Sequence, residues 1–229
     1  MGQLNTVGVD LAKSVIQVSV VTPAGKEVVN KSLTRKKFAE FLATQKASLV
    51  AFEACASAHH WARTAKSHGH EVRLLPAISV SPFRQGHKTD QNDALAVAEA
   101  ACRPNLKEAP LKSLDQQALQ AIQRSREILI RDRTAISNHI RGLLLEFGIA
   151  IPKGFAHLHR HVPEILEDAE NGVPHNFRST LHLMHRRLLE IKQDIDVLTD
   201  QIEGLVKANE PCRRLLDIEG VGPISAVLL

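Results

Sequence analysis

An α/β fold followed by a long helical region is what the sequence predicts, and three observations carry the prediction. Short, β-branched apolar runs alternate with helical patterns up to about residue 110. Beyond residue 180 apolar residues recur in unbroken steps of three and four. Residues 209–229 then hold a Gly-x-Gly between two short helical patterns.

The first runs in order are Thr6-Val7-Gly8-Val9-Asp10 and Val15-Ile16-Gln17-Val18-Ser19-Val20-Val21. Pro23-Ala24-Gly25 then turns the chain into Glu27-Val28-Val29, which makes a three-stranded antiparallel meander. Thr34 caps a helix with Phe38, Phe41 and Leu42 on one face. Leu49-Val50-Ala51-Phe52-Glu53 is a continuous apolar run suited to a strand buried on both sides. A helix from about Ser57 to His68 stops at Gly69, and Val72-Arg73-Leu74-Leu75 is a further strand ending at Pro76. Three strands, helix, strand, helix, strand, helix is the order of a ribonuclease H-like domain with a mixed sheet, assigned to residues 1–110. In that arrangement Asp10 lies near the middle of the first strand's catalytic edge and Glu53 at the end of the fourth strand.

The second half differs in kind. Leu181, Met184, Leu188, Ile191, Ile195, Leu198, Ile202 and Leu205 form the seam of a coiled coil. A weaker seam runs through Leu119, Ile122, Arg126, Leu129, Arg133, Ile136, Ile140, Leu143 and Phe147, with two arginines at apolar positions. Residues 111–208 are therefore read as a helical coiled-coil region, its two helices joined by the Pro- and His-containing stretch 148–176. They either fold back as an antiparallel hairpin or pair with another chain, and Arg126 and Arg133 either set the register or face nucleic acid. In residues 209–229, Gly220 and Gly222 let backbone N–H groups approach a phosphate, as at the start of a helix-hairpin-helix element.

Composition narrows the class. With 229 residues and 44% hydrophobic residues the chain can bury a core. No apolar run reaches the roughly 18 needed to cross a bilayer, and the N-terminus lacks a secretory pattern, so a soluble cytoplasmic protein is expected. Cys55, Cys102 and Cys212 have no Cys-x-x-Cys spacing, so buried free thiols are expected rather than disulfides or a zinc finger. The absence of tyrosine excludes phosphotyrosine strand transfer. Residues 1–110 carry 14 Lys+Arg against 9 Asp+Glu, and residues 148–229 carry 9 against 12. A basic excess around a few acids suits a polyanion held by metal, and it is also ordinary solvated surface.

Four acids carry the chemistry: Asp10, Glu53, Asp90 and Asp93. Three residues advance about 300° around a helix, so Asp90 and Asp93 face the same way. Their repulsion is offset if they share a divalent cation, and magnesium takes few carboxylates while keeping water and phosphate in its other positions. Two such ions about 4 Å apart clamp the attacking and leaving oxygens of an in-line displacement. Read alone, the pair is also a set of first-turn acids favoured by the helix dipole, with Thr89 as cap. Lys88 either contacts substrate phosphate or is a solvated loop charge. His157, His159 and His161 alternate in a loop pattern without the partners that complete a zinc site. His59 and His60, just after Glu53, either approach a scissile phosphate or are partly buried structural residues.

The stretches Val7-Gly8-Val9-Asp10-Leu11-Ala12-Lys13, Phe52-Glu53-Ala54-Cys55, Ala58-His59-His60-Trp61-Ala62-Arg63, Lys88-Thr89-Asp90-Gln91-Asn92-Asp93-Ala94 and Ile218-Glu219-Gly220-Val221-Gly222-Pro223 resemble, in order, the DEDD transposases of bacterial insertion sequences of the one-ten type, eleven-eleven branch. The resemblance implies a RuvC-like N-terminal domain whose quartet Asp10, Glu53, Asp90 and Asp93 binds magnesium, with manganese able to substitute. It also implies a coiled-coil arm, a C-terminal transposase domain supplying a nucleophilic serine, dimers or tetramers, and recombination of element-end and target DNA guided by a structured RNA. The serine lies beyond the Gly-Val-Gly-Pro stretch in that family, and Ser225 is not assigned its role. Ala56 stands where relatives often have Gly, which requires a negative φ there.

The expected function is therefore metal-dependent DNA cleavage and strand exchange for movement of an insertion sequence, with the isolated chain incomplete for catalysis. Two rivals stand beside it, the first using the same four carboxylates and the second the heptads. One is a RuvC-like metal-dependent nuclease that activates water and needs no serine. The other is a truncated regulator that binds DNA and pairs with the full-length transposase.

Overall fold

The computed structural model describes residues 4–228, the side chain of Leu228 excepted. The chain separates between Lys112 and Ser113 into two compact units.

The first unit is a five-stranded mixed sheet. Its strands are β1 (Thr6–Leu11), β2 (Val15–Val21), β3 (Glu27–Thr34), β4 (Leu49–Glu53) and β5 (Glu71–Leu75), in the order β3-β2-β1-β4-β5. β1, β2 and β3 are antiparallel, and β4 and β5 run parallel to β1. The parallel strands require crossover helices: α1 (Arg35–Thr44) between β3 and β4, and α2 (Ala58–Ser67) between β4 and β5. Thr34 caps α1, its hydroxyl accepting the Lys37 N–H at 3.3 Å.

Alternation along the strands assigns two faces. Val7, Val9, Ile16, Val18, Val50, Phe52 and Leu74 point to one side and bury Phe38 and Leu42 of α1 and Trp61, Ala62 and Ala65 of α2. On the other side Ala51 and Leu75 pack against α4 (Asp90–Ala101), through Ala96, Val97, Ala100 and Ala101, and against Val80 of the short α3 (Ala77–Val80). Gly8 belongs to this face. A Cβ there would lie 2.2 Å from the Ala94 carbonyl oxygen and 2.4 Å from the Ala98 nitrogen, so α4 rests directly on the β1 backbone.

The second unit is helical: α5 (Leu114–Glu146), α6 (Phe155–Glu167), α7 (His175–Ala208), α8 (Glu210–Leu215) and α9 (Pro223–Leu228). α5 opens with a capping box in which Ser113 and Gln116 each satisfy the other's backbone N–H. The start of α5 packs on the end of α7, through Leu119 with Ile202 and Val206. The end of α5 packs on the start of α7, through Ile140 and Leu144 with Leu181 and Leu188. The two long helices therefore form an antiparallel hairpin within one chain, and Arg126 fills its place by donating to the Thr199 hydroxyl at 2.7 Å.

Several expectations change. Asp10 is the fifth of six residues in β1, near the strand's end rather than its middle. Leu205 is 41% exposed while Val206 is fully buried, because an α-helix turns in 3.6 residues and a strict heptad stripe drifts off its seam. His157, His159 and His161 lie in α6, not in a loop. Leu158, Val162 and Ile165 supply a buried helical stripe that outweighs the hydrogen bond lost at Pro163. As a result the three imidazoles do not share a face: His161 Nδ1 meets the His157 carbonyl at 2.7 Å, while His159 stacks between Phe155 and His185. The thiols are not buried either: Cys55 and Cys102 are exposed and Cys212 half-buried. No described helix is long and apolar enough to cross a membrane.

Candidate functional site

The sheet brings the acids together from three places in the sequence. In the parallel register Val9 pairs with Phe52, so the next residues, Asp10 and Glu53, are neighbours at one end of the sheet. Alternation turns both towards the face that holds Gly8, Ala51 and α4. Because α4 crosses that face without a side chain at Gly8 to lift it, its first turn delivers Asp90 and Asp93 to the same end. Thr89 caps this turn, its hydroxyl accepting the Asn92 N–H at 3.3 Å, and Asn92 Nδ2 donates to the His87 carbonyl at 2.8 Å. Cap residue and first-turn acids are thus both present, as helix electrostatics favours.

The electrostatics record the convergence. The Asp10 carboxyl is pushed up from 3.8 to about 6, first by partial burial and then by the negative charges of Asp93, Asp90 and Glu53, with Lys88 acting the other way. Asp93 forms a close ion pair with Arg84, which follows a single 3₁₀ turn at Ser81–Phe83. Arg84 carried no signal in the sequence, because a lone arginine in a Pro- and Gly-containing loop has no periodicity to place it. Beside the acids, Gln17, Ser32, Thr89, Asp90 and Gln91 line an open cleft of about 330 Å³.

Among the described residues no group of three or more His, Cys, Asp or Glu is gathered closely enough to hold a metal ion. Within the set, Asp93 is paired with Arg84. The donor set nevertheless has the chemistry of a hard divalent cation site: four carboxylates, one of which resists ionising through partial burial and then through the other three.

The remaining candidates fall elsewhere. His59 accepts the Lys112 N–H through Nδ1 at 3.3 Å, a structural role, and His60 stacks edge-on against Trp61. Ser57, with φ at 69°, is the left-handed residue of the turn after β4, so Ala56 is free of the positive φ that would require glycine. Gly220, with φ at 84°, and Gly222 lie between α8 and α9 in the second unit.

Comparison with known proteins decides the family. The DEDD transposase model of the IS110 type matches residues 7–149, a span that contains all four acids and Lys88. The chain belongs to this IS110-type transposase family. A probable family 20 transposase of Pseudomonas aeruginosa is 39% identical over 224 residues, covering 97% of this chain and 66% of that protein. The transposase for insertion sequence element IS1111A of Coxiella burnetii is 33% identical over 227 residues, covering 99% of this chain and 62% of its own length. The transposase for insertion sequence element IS1328 of Yersinia enterocolitica is 33% identical over 231 residues, covering 68% of its length. This chain therefore spans about two thirds of the length of these relatives.

Proposed function

We propose that this chain carries the DNA-cleaving carboxylate site of an insertion-sequence transposase, built from Asp10, Glu53, Asp90 and Asp93. The observation that carries the reading is geometric: the Val9–Phe52 register sets Asp10 beside Glu53, and Gly8 seats α4 on β1 so that its first turn brings Asp90 and Asp93 to the same end of the sheet. A cluster of mutually repelling carboxylates at the end of a sheet opposes folding, and such clusters are found where function requires them.

The four carboxylates would hold magnesium, or manganese in its place, with Asp10 and Glu53 contributed by the sheet and Asp90 and Asp93 by α4. A bound divalent ion supplies charge neutralisation for a phosphodiester undergoing in-line displacement. The chain's own residues do the rest. β1 and β4, interior strands, fix Asp10 and Glu53 at one end of the sheet, and the capped first turn of α4 fixes Asp90 and Asp93. Lys88 stands beside the cluster as a phosphate contact. The basic excess of residues 1–110 attracts the DNA backbone over its length. The substrate is DNA at the element ends and the target. Guidance by a structured RNA, assembly into dimers or tetramers through the long helices, and phosphate contact at Gly220 and Gly222 complete the proposal on the family resemblance.

Manganese binding followed by electron paramagnetic resonance on the purified chain, with and without duplex DNA, tests the site. The native chain is expected to bind, with Asp10→Ala and Asp93→Ala each weakening binding by at least about tenfold. A native chain that binds no manganese in either condition, or an Asp10→Ala chain that binds as tightly as the native one, overturns the metal-site reading.

A further inference from the structure

We infer that Asn30 is a positioning residue for the carboxylate site, tying the outer strands of the sheet to the first turn of α4 through a directional chain of hydrogen bonds. The inference rests on the carboxylate-site reading above and adds residues which that reading does not use.

The chain of bonds can be followed atom by atom. On the α4 face of the sheet, Gln17 is 2% exposed and Ser19 fully buried, although both are polar. Gln17 Nε2 donates to Asn30 Oδ1 at 2.6 Å, and Ser32 donates its hydroxyl hydrogen to Gln17 Oε1. Asn30 Oδ1 is therefore the acceptor, which leaves Nδ2 as a donor of two hydrogens. One goes to Glu27 Oε1 at 2.7 Å, an oxygen that also accepts from the Ser19 hydroxyl at 2.6 Å. The other goes to the backbone carbonyl of Gln91 at 3.2 Å. Gln91 lies between Asp90 and Asp93, so its peptide orientation is the orientation of the turn that presents both acids.

This network is costly unless it has a use. Apolar residues on β2 and β3 would bury as well without demanding that every polar atom be paired. Its branches lead from Ser19, Ser32 and Glu27 to Asn30, and Asn30 carries the one bond of the set that reaches α4. The first turn of α4 carries both Asp90 and Asp93, and the bond from Asn30 to the Gln91 carbonyl ties that turn to the sheet. The open cleft beside the acids is lined by Gln17 and Ser32 of the network and by Gln91, whose carbonyl Asn30 holds.

Two substitutions and one control test the inference by amide hydrogen exchange and manganese titration. Asn30→Ala removes the tie to Gln91. Asn30→Asp keeps the size and replaces the donor with an oxygen facing the Gln91 carbonyl and the Glu27 carboxylate. Both are expected to speed exchange of the amides of residues 93–96 by about tenfold relative to the rest of the first unit, the local effect of losing one hydrogen bond. Both are expected to weaken manganese binding several-fold. Phe38→Leu, on the opposite face of the sheet, is the control: it lowers the melting temperature without selective exchange in α4 and without weakening manganese binding.

Unchanged α4 exchange in both Asn30 variants overturns the tether, as does a Phe38→Leu variant that loses manganese equally. If the native chain binds no manganese, the metal reading fails while the exchange experiment still decides whether Asn30 holds the turn.

Discussion

Adding one methyl group at Gly8 tests whether the direct seating of α4 on β1 is what delivers Asp90 and Asp93 to Asp10. The Cβ of Gly8→Ala would stand 2.2 Å from the Ala94 carbonyl oxygen, 2.4 Å from the Ala98 nitrogen and 2.8 Å from the Ala98 Cβ. Two of these are helix backbone, which no rotamer change can move aside. Restoring ordinary contact means lifting α4 by about 1 Å off a face that buries Ala94, Ala96, Val97, Ala98, Ala100 and Ala101. Overpacking of this kind costs about 3 kcal/mol, near the upper end of the usual range because no flexible side chain absorbs it. For a unit of this size that corresponds to a melting temperature lower by roughly 15 °C. Circular dichroism melts of native and variant chains measure it, and manganese titration of the folded variant follows the displacement of the acids. A second change, Ala98→Gly, relieves the side-chain contact alone, so the double variant is expected to remain destabilised. A Gly8→Ala chain that melts within about 3 °C of native and binds manganese equally would refute this account of how the acids converge.

Three further outcomes follow from the same geometry. Asp10, raised from 3.8 to about 6, opposes folding when ionised: the penalty is absent below 3.8 and complete above 6. Asp10→Asn should therefore melt higher than the native chain at neutral pH, with the gap closing by about pH 4; a gap that is constant with pH contradicts the assignment. Arg84 competes with a cation for Asp93, so Arg84→Gln should tighten manganese binding several-fold, and weaker binding would show that Arg84 positions Asp93 instead. His185 is 7% exposed, its Nε2 has no hydrogen-bond partner among the described residues, and its imidazole is lowered from 6.5 by burial and then by His159 and His182. The native second unit should therefore lose stability as pH falls below 6.5. His185→Leu should raise stability by about 1 kcal/mol and remove that acid sensitivity, as melts at two pH values can check.

What the sequence determined by itself is whatever neighbours along the chain decide. Thr34 and Thr89 cap helices because a hydroxyl reaches an N–H three residues ahead, and that relation is written locally. The period-two runs of β1 and β2, the continuous apolar run of β4 and the long apolar stripe of α7 identify strands and helix, because burial of one face or of both selects those patterns. Asp90 and Asp93 share a face by helix geometry alone. The histidines of α6 were misread because Pro163 and alternating imidazoles masked the buried stripe of Leu158, Val162 and Ile165. Burial of the thiols was equally beyond local reading, since it depends on which segment covers Cys55 or Cys102.

Only the tertiary structure decided what passes through space. Nothing local marks Gly8 as the place where a helix some 90 residues later touches the strand, as opposed to a glycine in a turn. Nothing local assigns Arg84 to Asp93, or Asn30 to a carbonyl 61 residues away. Such contacts are set by the sheet order β3-β2-β1-β4-β5 and by α4 crossing its face. A hydrogen bond or an ion pair between distant residues imposes no period on either partner's neighbours, so the four acids of the proposed site stand out in the sequence while their contacts, Arg84 and Asn30, do not.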